Sequence, residues 1–344
     1  MTITLSFKPK QSVKKLILAL PERSRDVITK RFGLGKDSEP MTLDAIGKNY
    51  GITRERVRQI EDHALNVIRK SKNYSEEKPV FDEIEKIIRD LGGIVVEQDL
   101  LDYISKDTSI QSNINFLLVV GHPFNKIKED DDFKHRWFID EVIKVKIHGS
   151  LKRLYESLKD NELISEQEMI KFFLSYIEDI SELYRTEEIA KRWLSISKKI
   201  GKNPLGEWGK TESSNVNTKG MRDYAYLIIR RHGSPIHFRE VAKAITSVFN
   251  KKAHVATTHN ELIKDPRFVL VGRGLYALSE WGYMSGVVKD VIKKIIEKDG
   301  PMTKQGVIEK VMKERYVKEN TIIINLQNKK YFRKNKDGKY EVIK

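Results

Sequence analysis

Cysteine is absent from the 344 residues, which removes disulfides, thiolate nucleophiles and cysteine-ligated zinc together. A reducing compartment fits that absence. Long apolar runs are missing too: residues 116–120 (FLLVV) and 322–324 (III) fall far short of the roughly 18 residues of a membrane span. The opening MTITLSFKPKQSVKKLILALPERSR lacks a sustained apolar centre and a small-residue cleavage site, so no secretory signal and no membrane partner are expected. The expected location is the cytoplasm, in association with the nucleoid.

Catalytic signatures are lacking as well. There is no G-x-S-x-G element, no Walker A motif and no paired catalytic constellation. His232, His237, His254 and His259 lie close in sequence, but their spacing lacks the H-x3-5-H plus partner arrangement of zinc sites. Residues 129–132 (EDDD) lack EF-hand spacing and a closing glutamate, and read as a solvated loop. Gly272-Arg273-Gly274 falls between two strand-like runs and opens no helix, which makes it a turn rather than a phosphate cradle. No metal, cofactor or enzymatic activity is expected.

Basic residues are plentiful. Lys plus Arg number 64 against 49 Asp plus Glu, a formal charge of +15, with a pI near 9.5, the balance of a chain that meets polyanions. The charge is uneven. Residues 1–72 carry +8, 76–140 carry −7, 141–220 carry +1, 221–283 carry +5 and 284–344 carry +8. The acidic segment is therefore the poorest candidate for touching nucleic acid and the better one for contacting protein.

One short pattern recurs four times: an apolar residue, another five positions on, and a third four positions later. The sets are Val95, Leu100 and Ile104; Ile164, Met169 and Phe173; Ile236, Val241 and Ile245; Met302, Val307 and Val311. About 40 residues after each anchor stands an aromatic: Trp137, Trp208, Tyr276 and Tyr340. The last two copies end in hairpin signals, Gly272-Arg273-Gly274 and Asp337-Gly338, between β-rich runs. Helix, helix, helix, hairpin is the order of a winged helix. The expected divisions are 1–72, 76–140, 141–210, a Ser/Asn/Thr/Gly-rich linker at 211–220, then 221–283 and 284–344.

Residues 41–50 repeat the spacing with Met41, Ile46 and Tyr50, but a long helix follows in place of a hairpin. This predicts a helix-turn-helix. Gly47 allows close helix approach, Gly51 supplies the turn and Thr53 stands where a cap belongs. Val57, Ile60, Ala64, Val67 and Ile68 share an apolar stripe, leaving Arg54, Glu55, Arg58 and Gln59 on the opposite face at the end that enters a major groove. Arg can fork to guanine, Glu can accept from cytosine and Gln can pair with adenine. The competing reading is a solvated face of Glu–Arg pairs at helical spacing.

Residues 16–72 resemble region 4 of the housekeeping bacterial sigma factors: LPER, RFGLG, TL-x-x-IG and GITRERVRQIE occur in order with family spacing. The resemblance implies a domain that reads the minus-35 promoter element in double-stranded DNA. Arg54, Glu55, Arg58 and Gln59 would contact bases, Arg56 and Thr42 would hold the DNA backbone, and the surface around Leu20 to Leu34 would dock on the β-flap of RNA polymerase. Only about 15 residues precede the match, so a complete sigma factor of the usual plan is not expected. The end of the helix, with Asp62, His63 and Asn66, is less basic than the family's tail.

Residues 221–283 resemble the HARE-HTH domain, a winged-helix module of the RNA polymerase delta subunit, in HGSPIHFREV and RFVLVGRGLYAL. That resemblance implies a nucleic-acid or polymerase setting. Secondary contacts are expected from His254, Thr257, Thr258, His259, Asn260, Arg267 and Arg273, with Lys329, Lys330, Arg333 and Lys334 on the last hairpin. The expected fold is mainly α: a sigma region 4 helix-turn-helix followed by tandem winged helices. The expected function is a sigma-like transcription factor. Its alternatives are a polymerase-associated interaction protein with little sequence-specific DNA binding, and the DNA-recognition subunit of a modification or defence system. Oligomeric state is left open.

Overall fold

Thr42 and Thr53 each accept a backbone hydrogen bond from three residues on, at 3.2 Å, and so start two helices eleven residues apart. The structure, a computed structural model, describes residues 3–35 and 39–343. It opens with α1 (Pro9–Ile17), α2 (Glu22–Phe32), α3 (Leu43–Tyr50) and α4 (Arg54–Arg69). The α3–α4 turn needs its two glycines. Gly51 has φ +65°, which favours glycine, and a Cβ at Gly47 would lie 2.6 Å from the Ile52 carbonyl oxygen. Val27, Ile46 and Val57 form the small core that joins α2, α3 and α4.

The chain continues through α5 (Lys72–Glu76), α6 (Lys78–Asp90), β1 (Ile94–Val96), α7 (Glu97–Ile104), α8 (Thr108–Val120), β2 (Asn125–Ile127) and β3 (Arg136–Phe138). Then come α9 (Glu141–Ser157), α10 (Glu166–Ser175), α11 (Glu187–Leu194), β4 (Ile200–Lys202) and β5 (Trp208–Lys210). The remainder is α12 (Met221–His232), β6 (Ile236–His237), α13 (Phe238–Phe249), α14 (Val255–Lys264), β7 (Phe268–Leu270), β8 (Leu275–Leu278), α15 (Val288–Asp299), α16 (Lys304–Glu314), α17 (Glu319–Leu326), β9 (Phe332–Lys334) and β10 (Tyr340–Val342). The molecule is mainly helical with four small sheets among the described residues, ordered β1-β3-β2, β4-β5, β6-β8-β7 and β9-β10.

The fourfold pattern has a structural meaning that spacing alone did not give. Each apolar anchor is the antiparallel partner of its own copy's aromatic: Val95 of Trp137, Ile164 of Trp208, Ile236 of Tyr276 and Met302 of Tyr340. Where no regular strand forms, the pairing survives as a bridge; Ile164 and Trp208 exchange both backbone hydrogen bonds at 2.8 Å. The two later residues of each set, such as Leu100 and Ile104 or Val241 and Ile245, are buried on the helix that follows the anchor. The chain thus repeats helix, anchor, two helices and hairpin, closing each copy with one cross-strand pair.

The chain forms two compact units, Met1–Gly201 with Trp208–Thr211, and Lys202–Glu207 with Glu212–Lys344. In the first, α8 packs in the core that holds α1 and α2, apart from a second core built around α9, α10 and α11. Its Ile114, Phe116, Leu117 and Val120 join Val13, Leu16, Leu20, Ile28 and Phe32 of the α1–α2 region in one core. Phe32 meets Phe116 edge-on at 5.2 Å, and Arg69 of α4 donates to the Val119 and Val120 carbonyls at 2.8 and 3.1 Å. Leu20, Ile28 and Phe32, on the surface assigned to the polymerase flap, are buried in the core they share with α8. The EDDD loop is solvated as expected, with Glu129, Asp130 and Asp131 exposed, and it is also anchored: Glu129 pairs with Lys198 at 2.7 Å, and Asp132 with Lys199 at 2.8 Å and Lys152 at 3.1 Å.

The segment 211–220 has the composition of a linker but is folded. Ser213, Asn215 and Val216 are buried in consecutive turns, and Ser214 and Asn215 accept hydrogen bonds from Arg267 at 3.2 and 3.5 Å. Short polar side chains make tight turns as readily as loose tethers, and composition does not separate the two.

Candidate nucleic-acid interface

The face of α4 opposite its buried Val57, Ala64, Leu65 and Ile68 carries Arg54, Glu55, Arg56, Arg58 and Gln59, all exposed. Thr42 and Thr53 lie exposed at the N-termini of α3 and α4, and their hydroxyls remain able to donate while their oxygens cap. The sequence-expected base and backbone contacts therefore share one end of a two-helix element. Helix polarity helps there, since an N-terminus attracts anions.

Arg56 and Arg58 are held by their own helix. Arg58 forks to Glu55 at 2.9 and 2.6 Å and reaches Asp62 at 2.7 Å, while Arg56 donates to Gln59 at 3.0 Å. The hydrogen bond from Arg58 holds the Glu55 carboxyl below its ordinary range, so Glu55 stays an acceptor at neutral pH. The same pair raises the Arg58 pKa, through the Glu55 hydrogen bond first. A ligand that takes Arg58 must replace two carboxylates. Sequence reasoning missed this second role of Asp62, which there only makes the helix end less basic; its i+4 spacing from Arg58 was the available signal that it holds that side chain.

The second unit gives a mixed picture. His254, Thr257 and Asn260 are exposed around the start of α14, and Arg273 is exposed in the β7–β8 turn. Three side chains expected to touch nucleic acid are engaged inside instead. Thr258 is buried and donates to the His254 carbonyl at 3.0 Å. His259 stacks on Phe238 at 4.2 Å between centroids and meets Tyr276 edge-on at 5.8 Å. Arg267 pairs with Asp223 at 2.9 Å and Asp265 at 2.7 Å and lies over Tyr226. Its guanidinium joins the strand end to α12, so it is a clasp rather than a wing contact. On the last hairpin Lys329, Lys330, Arg333 and Lys334 are all exposed, though Arg333 pairs with Glu341 at 2.6 Å and Lys334 lies over Tyr340.

The clustered histidines take up local work. His232 bonds with Ser234, and His237 accepts from the Arg239 backbone N–H at the start of α13. Among the described residues no helix is long and apolar enough to cross a membrane.

Residues 16–70 match the family model described as sigma-70, region 4. Over 60 residues the chain is 45% identical to the RNA polymerase sigma factor RpoD of Helicobacter pylori, in strains 26695 and J99 alike. The aligned part is 17% of this chain and 9% of that protein, so the chain spans less than a tenth of the length of these curated relatives. The similarity covers α2, α3 and α4, the elements that build the arginine face.

Proposed function

We propose that this chain is a sigma-like DNA-binding transcription factor, not an enzyme, which reads a minus-35-like promoter element with α4 in the major groove. The observation that carries the reading is the exposed Arg54, Glu55, Arg58 and Gln59 face on a helix positioned by a glycine turn, within the segment similar to sigma region 4. Arg56, Thr42 and Thr53 hold phosphates beside it. The four repeated units are read as winged helices, with 221–283 of the HARE-HTH type. The units at 221–283 and 284–344, through His254, Thr257, Asn260, Arg273 and the last hairpin's cations, add secondary contacts; linked modules gain avidity when geometry lets them bind together.

RNA polymerase is the proposed protein partner. With Leu20, Ile28 and Phe32 covered by α8, contact is left to the exposed side chains of that surface, including Leu18 and Arg23. The cytoplasmic nucleoid is the place where both partners are found. The test replaces Arg54 and Arg58 with Ala. Binding to a promoter-like duplex falls roughly ten- to a hundredfold for each arginine removed, while polymerase co-purification persists. Unchanged DNA binding would instead make the chain a polymerase-associated protein with an idle α4 face.

A further inference from the structure

In the second unit the β7–β8 turn and the segment joining α16 to α17 enclose a groove of about 800 Å³. Tyr316 fixes its shape by donating its backbone N–H to the Val271 carbonyl at 2.6 Å. The walls are apolar and open: Leu270 is 49% exposed, Val287 61%, Met312 52% and Tyr316 56%. Such a concentration of exposed large apolar side chains marks a binding surface rather than ordinary surface scatter.

The charge of the groove is of one sign. Arg273, Arg315 and Lys318 line it, and no Asp or Glu does. Arg315 is 3% exposed, and its guanidinium donates to the carbonyls of Glu314, Met284 and Gly286, the last at 3.0 Å. It makes no ion pair among the described residues. A guanidinium does not give up its proton, so the groove has a buried positive charge held by carbonyl dipoles, with Arg273 and Lys318 exposed at the rim.

We infer that this groove docks an acidic peptide segment of a partner protein, its apolar side chains between Leu270, Val287 and Met312 and its carboxylates toward Arg273, Lys318 and the charge of Arg315. The walls favour a peptide over a nucleic-acid strand. Single strands stack successive bases on aromatic platforms, and here one tyrosine stands among aliphatic and thioether groups. A methionine wall suits side chains of varied shape. Peptide docking here is independent of DNA reading by α4, and it takes Arg273 for the peptide in place of the secondary DNA contact, leaving that contact to His254, Thr257, Asn260 and the last hairpin.

The test uses the full chain and three labelled probes: a short peptide mixing aspartate with leucine, its counterpart with lysine in place of aspartate, and oligothymidylate. The aspartate peptide binds at least about tenfold tighter than the lysine peptide. The double variant Arg273→Glu, Lys318→Glu weakens it by about tenfold or more. Val287→Asp, at an exposed wall position, weakens it too while the thermal melt and duplex binding through α4 stay unchanged. Equal binding of the two peptides, or indifference to these variants, would overturn the inference. So would oligothymidylate binding that the same variants abolish, which would make the groove a nucleic-acid site.

Discussion

α4 and α8 are built from the same materials and end with opposite surfaces. Each is the second helix of a pair, and each opens on a side-chain cap, Thr53 for α4 and Asp107 for α8. α4 buries one stripe and leaves five polar residues of its first two turns in solvent. α8 buries Asn113, Ile114, Phe116, Leu117, Leu118 and Val120, which leaves it little free face. The acidic unit thus spends its third helix on covering α1 and α2, and the basic helix-turn-helix leaves the polar face of its own helix in solvent. α14 stands between them, with Thr258 and His259 turned to internal work and Thr257 and Asn260 left outside. Whether a polar side chain is available to a partner is decided by what the rest of the chain does with it.

The contrast can be broken most strongly at α8. Phe116→Ala removes the ring that meets Phe32 and is expected to destabilise the first unit by about 3–5 kcal/mol, read by denaturant unfolding. Arg267→Ala leaves the buried Asp223 and Asp265 without their hydrogen-bonded cation, with only Arg222 at 4.0 Å from each, and is expected to cost about 2–3 kcal/mol in the second unit; Arg273→Ala in the exposed turn leaves stability unchanged. Burial pushes the Asp265 carboxyl up, but the Arg267 hydrogen bonds overcome this and leave it below its usual value. That share of stability is present above the ordinary carboxylate pKa and is lost as pH falls through the depressed one.

His148 sharpens the same contrast by titration. It stacks on Phe133 and accepts from the Arg136 guanidinium at 2.9 Å; burial first, then the Arg136 charge, lowers its pKa to about 4. The unfolded chain binds the proton more readily. The stabilisation is whole above pH 6.5 and declines as pH falls from there toward 4, by about 1–2 kcal/mol once the ring's partial exposure is allowed for. His148→Phe flattens that part of the stability profile. The smallest effect belongs to Asp62→Asn, which frees Arg58 of one carboxylate. Duplex affinity is expected to rise by up to severalfold in gel-shift or anisotropy titrations, with no loss of thermal stability.

The helix-turn-helix was legible because its determinants are local: Gly47, Gly51, Thr53 and the stripe from Val57 to Ile68 lie close together in the chain. The four anchors and their aromatics were legible because each copy repeats them, although their direct pairing was not. What stayed hidden is long-range. Nothing near Phe32 announces Phe116, nothing near Asp132 announces Lys199, and Arg267 gives no sign of Asp223, 44 residues earlier. A half-buried clasp such as Arg267 and an exposed arginine such as Arg54 have the same letter in the sequence, and only the partner's position separates them. The groove beside Tyr316 was invisible for the same reason, since its walls come from two repeated units.

The most direct measurement is a salt titration of the full chain on a promoter-like duplex, beside the Arg54→Ala, Arg58→Ala variant. Wild-type log affinity is expected to fall against log salt with a slope of roughly −3 or steeper, about 0.9 for each phosphate neutralised, and the variant to bind more weakly at every salt concentration. A flat wild-type line, or two superimposable lines, would contradict DNA reading by α4.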